Sequence, residues 1–414
     1  MKALKLIADK YFDEDILFNH IKHFSYPRLS GTEGEKRAIR EVAETFKEIG
    51  FNDDEIKAES FIFSDFYSTT LIKFIMMLSL MNMFLFFVFT YFQTILNTIL
   101  DLVLILISAI IVYFLLKGLK HPEETAFVAK YFGKLIESKN VFIKVPAKKI
   151  DPNKAGNIIF SAHIDSKSQA YSTTIRVFVY KVWLYAGFFV AIFILIDIII
   201  DIEWIKIAAR IATVVIMIDN IILLLLTTGN KSPGALDNAC GMTCAFEIAR
   251  YFREHPLNNF NVWCCQFGGE ELGTMGSRNF CKTYEDQFVI GKIFQFNFEM
   301  LGIKGVKHKV QMMETYGIPK KNISPTLTKY LKRAAKKIGL YIEGFYLTIG
   351  AHTDTVPFHQ RNYDAIDVMT RESARYAHTK KDSIDKVDKS ISREACLITV
   401  QAALLLDKNF TKLS

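Results

Sequence analysis

Residues 157–166 read NIIFSAHIDS, and this stretch decides the fold. Asn157–Ala162 is rich in β-branched and aromatic side chains, reads as a β strand, and stops at His163-Ile-Asp165. The same form recurs downstream. NFNVWCCQF (259–267) reads as a buried strand that runs out into Gly268-Gly269-Glu270-Glu271. Val289–Phe298 reads as a strand ending at Glu299. Between them SPGALDNACGMTCAFEIARYF (232–252) is a turn that opens a helix and carries Asp237. Helical patterns alternate with these strands: Asp13–Phe51, Gly276–Glu285, Pro325–Gly339 and Ser392–Leu406. An amphipathic segment is expected at Glu123–Glu137, further strands at Glu59–Phe63 and Asn140–Pro146, and a long loop at Ala351–His378. Strands alternating with helices imply an α/β fold, a mostly parallel mixed sheet flanked by helices. Sites in such sheets form beyond the carboxyl ends of the strands.

With 414 residues and 50% hydrophobic content, the chain has more apolar residue than one soluble domain needs. The surplus lies in four stretches, about Leu71–Phe92, Leu96–Leu116, Val182–Ile200 and Ile205–Thr228. Each is long enough to cross a hydrocarbon core of about 30 Å. Runs such as LSLMNMFLFFVFTYF (78–92) have no polar face, which argues against core helices of a soluble protein. The stretches pair into two transmembrane helical hairpins, four spans in all, at 69–121 and 179–229. The remainder, 1–68, 122–178 and 230–414, is expected to form one discontinuous domain.

The net charge of +8 is spread along the chain without an aromatic-interleaved basic stripe, so no nucleic-acid partner is expected. Lys73, Lys117, Lys120, Arg176, Lys181 and Lys231 flank the hairpins on the side of the soluble regions. The far side holds Asp197, Asp201 and Glu203 against Lys206, and the turn at Gln93–Leu96 has no charge. The positive-inside rule then makes this a multi-pass membrane protein with its soluble domain and both termini in the cytoplasm. The charged first residues, MKALKLIADKYFDED, lack the apolar stretch of a signal peptide. Six cysteines without scaffold spacing suit a reducing compartment. Arg210 lies within the last apolar stretch, with Asp197 or Asp201 as its expected partner, and Asp219 is expected to face a helix–helix seam.

His163, Asp165, Asp237, Glu270, Glu271, Glu299 and His378 all fall at strand ends or in turns. Imidazoles and carboxylates are the ligand types of a hydrolytic zinc site, and a carboxylate beside a ligand can serve as general base.

The segments SAHIDS, PGALDNACG, GGEELGTMGS, NFEMLG and YAHTKKDSID, in that order, resemble the co-catalytic zinc peptidases of metallopeptidase family 28, which includes zinc aminopeptidases, glutamate carboxypeptidase and glutaminyl cyclases. RLSGTEGEKRAI near the N-terminus is similar too. The resemblance covers the chain outside the hairpins and implies the zinc exopeptidase-like phosphorylase/hydrolase fold. It implies that His163 and Glu299 bind one zinc, Glu271 and His378 a second, and that Asp237 bridges them, two zinc ions per chain. It implies that Asp165 orients His163 and that Glu270 takes the proton of the attacking water. The loop AHTDTVPF (351–358) resembles the family's substrate-pocket loop, which makes His352, Asp354 and Phe358 candidate substrate contacts; Tyr376 is a candidate oxyanion donor.

The expected function is a membrane-anchored zinc exopeptidase acting on peptides, an aminopeptidase first. Glutamate at position 299, where aminopeptidases of this type carry aspartate, leaves a carboxypeptidase or N-acyl amino acid amidohydrolase as the alternative. An inactive family member that acts as a binding or scaffold protein is the alternative of another class. The second hairpin interrupts the chain between His163 and Asp237, which suggests peptide or amide substrates delivered from the lipid bilayer.

Overall fold

Side chains alternate between two apolar clusters along the central strands, and this alternation builds the fold. The computed structural model describes residues 10–91, 95–120, 133–200, 202–289, 291–350 and 352–413. Most of the segment expected to be amphipathic from Glu123, part of the turn at Gln93–Leu96, Ala351 and Asp201 lie outside them. The chain divides into two units. One is Met1–Phe63 with Ile136–Ser168 and Gly229–Ser414; the other is Ser64–Leu135 with Gln169–Thr228.

The strands are β1 (Ile56–Ser64), β2 (Leu135–Val145), β3 (Gly156–His163), β4 (Ser168–Gln169), β5 (Thr228–Gly229), β6 (Phe260–Phe267), β7 (Ile293–Glu299), β8 (Gln311–Tyr316), β9 (Lys321–Asn322), β10 (Glu343–Leu347) and β11 (Asp364–Met369). Among the described residues nine of them form one sheet in the order β1-β2-β6-β3-β7-β11-β8-β10, with β9 on β8, while β4 and β5 pair separately. The centre, β6-β3-β7-β11, is parallel throughout. β2 joins β6 antiparallel, and β8 joins β11 antiparallel. The sheet is therefore mixed with a parallel core, as the strand–helix alternation implies.

Every residue of β3, β6 and β7 is buried, because parallel strands are covered on both faces. Ile158, Phe160, Val262, Cys264, Phe294, Phe296 and Val368 point to one face. That face is covered by α1 (Glu14–His23), α2 (Glu33–Ile49), α7 (Cys240–Glu254), α9 (Pro325–Ile338) and α11 (Lys389–Lys408). Ile159, Trp263, Cys265, Ile293 and Ala365 point to the other, under α8 (Met275–Tyr284) and the short α10 (Val356–His359). The period of two then puts His163, Asn297, Glu299 and Asp367 on this second face, at or near the strands' carboxyl ends.

The second unit holds α3 (Ile72–Phe89), α4 (Ile95–Lys120), α5 (Thr173–Ile199) and α6 (Glu203–Leu224). Among the described residues, four helical stretches are long and apolar enough to cross a membrane: Tyr67–Phe89, Leu96–Phe114, Thr173–Asp197 and Glu203–Leu224. The third begins well before Val182, because the first turns of α5 carry Arg176 and Lys181 and dilute the apolar signal there. Of the partners expected for Arg210, Asp201 lies outside the described residues and Asp197 is corrected: the guanidinium donates to the Thr90 carbonyl at 2.7 Å and to Glu203 at 3.2 Å, and stacks over the Tyr91 ring at 4.4 Å. Glu203 wins over Asp197 because it stands seven residues before Arg210, two turns back on the same helix. Asp219 is buried on the inward side of α6 beside Asn220, whose amide donates to Ser79 at 3.1 Å.

Candidate metal centre

β3 ends at His163 and β7 at Glu299, two neighbouring parallel strands, so one sheet edge supplies an imidazole and a carboxylate. The His163 Nε2 atom lies 3.5 Å from a Glu299 oxygen and 3.2 Å from Asp237 Oδ1. Asp237 comes from the turn before α7, and its second oxygen, Oδ2, lies 3.3 Å from His378 Nε2. His378 Nε2 is also 3.0 Å from a Glu271 oxygen. The seven residues selected from the sequence thus form two three-sided groups, His163–Asp237–Glu299 and Asp237–Glu271–His378, with Asp165 and Glu270 packed against them. Asp237 belongs to both groups, one oxygen to each.

Hydrogen bonds hold the loops in place. Asp165 accepts the Ser30 hydroxyl at 2.7 Å and the backbone N–H groups of Glu270 and Glu271, each at 3.2 Å. His163 Nδ1 meets the Asp165 carbonyl at 2.9 Å, which turns Nε2 toward Asp237. The His378 backbone is left-handed, at φ 64°, a conformation that costs energy in a residue with a side chain and is found where the surroundings enforce it.

Burial would raise the Asp237 carboxyl, but the His163 and His378 imidazoles beside its two oxygens hold it well below the usual range. Burial is likewise outweighed at Glu271, which His378 and Lys167 keep down at about 2. At Glu299 burial wins and lifts the carboxyl to about 8. Glu270 is pushed well above the ordinary range, by burial first and by Glu299 and Glu271 against the opposing influence of His163.

The substrate-contact candidates differ in burial. Asp354 is fully buried beneath the group, accepts the Ser277 hydroxyl at 2.5 Å, and is raised to about 7 by burial. Phe358 is wholly enclosed in the second-face core, against Phe280 and Tyr363, so it packs the loop down. Tyr376 is half-buried on the first-face core with Lys386 over its ring, and His352 is half-buried.

Three residues not singled out in the sequence brace the centre. Lys167 Nζ lies 3.0 Å from a Glu271 oxygen. Asp382 accepts the N–H of Leu236 at 2.7 Å and of Asp237 at 3.1 Å. Arg28 is fully buried and donates to the carbonyls of Phe24, Tyr26, Ile164, Pro233 and Gly234. It therefore ties the residue after His163 to the turn that carries Asp237. Lys167 and Asp382 lie within four residues of chosen positions and could have been noticed; Arg28 carries no local signal.

Residues 215–403 match the model of peptidase family M28. That stretch is similar to the family's domain. The matched stretch holds Asp237, Glu270, Glu271, Glu299 and His378, while His163 and Asp165 precede it. The chain is 30% identical over 169 residues to aminopeptidase YwaD of Bacillus subtilis (strain 168), a match over 40% of this chain and 36% of that protein. The chain thus spans about a third of that relative's length. Solved structures share the fold at low identity. An aminopeptidase from Aneurinibacillus sp. strain AM-1 aligns with TM-score 0.56 and 15% identity over 95% of this chain and 94% of that one. A glutaminyl cyclase from an Acidobacteriales bacterium aligns with TM-score 0.54 and 15% identity over 96% of each chain.

Proposed function

We propose that this protein is a membrane-anchored, zinc-dependent exopeptidase, by type an aminopeptidase. One observation carries the reading: the Asp237 carboxylate stands between two imidazole–carboxylate groups, one oxygen toward each. The donors fit the metal. His163 Nε2 and Asp237 Oδ1 are buried without a hydrogen-bond partner, a costly condition that a coordinated cation relieves. Nitrogen and carboxylate oxygen are also zinc's ordinary ligands.

In this reading His163, Asp237 and Glu299 hold one zinc, and Asp237, Glu271 and His378 hold a second. Bound zinc supplies Lewis acidity toward the scissile carbonyl and lowers the pKa of water in the site. Glu270 is buried, and its raised proton affinity suits it to take a proton from the attacking water and return it to the leaving nitrogen. Asp165 keeps His163 in one orientation. His352 and Tyr376 are the polar groups proposed to meet substrate, while Asp354 lies buried.

Four apolar helices support membrane anchoring, and the flanking lysines and arginines support a cytoplasmic hydrolase domain. The last two spans interrupt the chain between His163 and Asp237, which favours substrates presented at a membrane surface. Reconstituted vesicles test this: turnover of a lipid-tethered peptide no faster than of the same peptide in solution removes it.

Glu299 favours a second reading, a carboxypeptidase or N-acyl amino acid amidohydrolase, because its longer side chain alters the approach to His163. The purified protein, analysed for zinc and assayed on aminoacyl, C-terminal and N-acyl amide substrates, decides between them. Release of free N-terminal residues alone is the expected result. Cleavage confined to the other two classes overturns the aminopeptidase assignment.

A further inference from the structure

The four helices of the second unit do not close on themselves. Between them lies a cavity of about 390 Å³, walled by all four and almost wholly apolar. That size lies within the range of about 300–1,000 Å³ typical of small-molecule pockets. Leu104 and Ile216 line it, and Phe188, exposed on the outside of α5, marks where it reaches the surface.

Water does not suit this space. A buried water needs two to four polar partners. The two hydroxyls in the wall already have theirs: Ser79 accepts from Asn220, while Ser108 accepts from Asn82 and donates to the Leu104 carbonyl at 2.9 Å, which leaves the Trp183 indole N–H as a single polar group, too few to hold a water. A dry void would leave its lining without dispersion contacts on one side. Gly187 stands in the wall, and a Cβ built there meets nothing within 4 Å. The opening at this point comes from the missing side chain.

We propose that this cavity binds one acyl chain of a bilayer lipid. The inference rests on the reading of these helices as membrane spans, where hydrocarbon tails are the surrounding solvent and the abundant apolar filler. The chain enters past Phe188 and lies along α5 beside Gly187, next to Trp183. The pairs Asn82–Ser108 and Asn220–Ser79 keep their hydrogen bonds, and an acyl chain asks for no polar partner inside the bundle.

Bromine on an acyl chain quenches tryptophan at contact, and Trp183 is the reporter. The full-length Trp204→Phe variant, which removes an exposed tryptophan, is delipidated in detergent and titrated with a phosphatidylcholine carrying a dibrominated acyl chain. Saturable quenching at one lipid per chain is expected. Adding Gly187→Leu, whose side chain fills the opening, is expected to weaken the apparent affinity at least tenfold. Ala191→Leu, also in the wall, repeats the test should the first variant fail to fold. Linear, unsaturable quenching, or equal quenching in the filled variants, overturns the proposal. Carbonate washing of cell membranes tests the underlying reading separately: a chain that washes off does not span, whereas one that stays but shows no saturable quenching lacks only the acyl site.

Discussion

Lys167 lies with its ammonium 3.0 Å from a Glu271 carboxylate oxygen and donates to the Glu271 carbonyl at 2.8 Å. With His378 it overcomes burial and keeps Glu271 ionised down to about pH 2. A carboxylate held low serves as a ligand above its pKa and is lost as pH falls through it. Lys167→Met raises that pKa, so zinc is released at higher pH on acidification, by about one unit or more. Dialysis at stepped pH with zinc analysis checks this; coincident release curves would remove Lys167 from the centre's electrostatics.

Glu270→Gln keeps the shape of the site and removes the proton acceptor. The variant is expected to retain its zinc and lose about 10²–10⁴-fold in turnover. Undiminished turnover would show that another group accepts the proton.

Arg28→Met leaves five backbone carbonyls without their donor. Each unsatisfied buried group costs about 1–3 kcal/mol, though some of these will relax. A loss of roughly 3 kcal/mol or more is expected, with weaker zinc binding because the His163 and Asp237 segments are no longer tied. Thermal unfolding with zinc analysis tests both halves; an unchanged Tm contradicts the bracing role.

Glu35 is buried, accepts the Ser138 hydroxyl and the Gly31 N–H, each at 2.5 Å, and is raised by burial to about 7. An acid whose folded pKa exceeds its unfolded value binds protons better when folded. Its contribution is present below about pH 4 and is lost as pH rises to about 7, up to roughly 3 kcal/mol. Glu35→Gln removes this dependence, so the variant's Tm should fall less than the wild type's between those limits. Parallel Tm–pH curves would count against it.

The main strands, the four apolar helices and all seven centre residues were legible in the chain because each rests on local pattern. Period-two burial, unbroken apolar runs and strand ends need no knowledge of distant partners. Phe358 shows where that stops: an aromatic residue in a loop reads the same whether it lines a pocket or packs against Phe280. Arg210 is similar, since several acids lay within reach and only the helix phase selected Glu203.

Sequence by itself determined which side chains stand at strand ends and which helices are apolar enough for a bilayer, since both follow from spacing and composition along the backbone. Only the tertiary structure decided that Asp237 faces two imidazoles at once, that Arg28 and Lys167 brace the segments around it, and that the four helices enclose a cavity. Those features depend on distances between residues far apart in the chain, which long-range packing sets and local pattern does not.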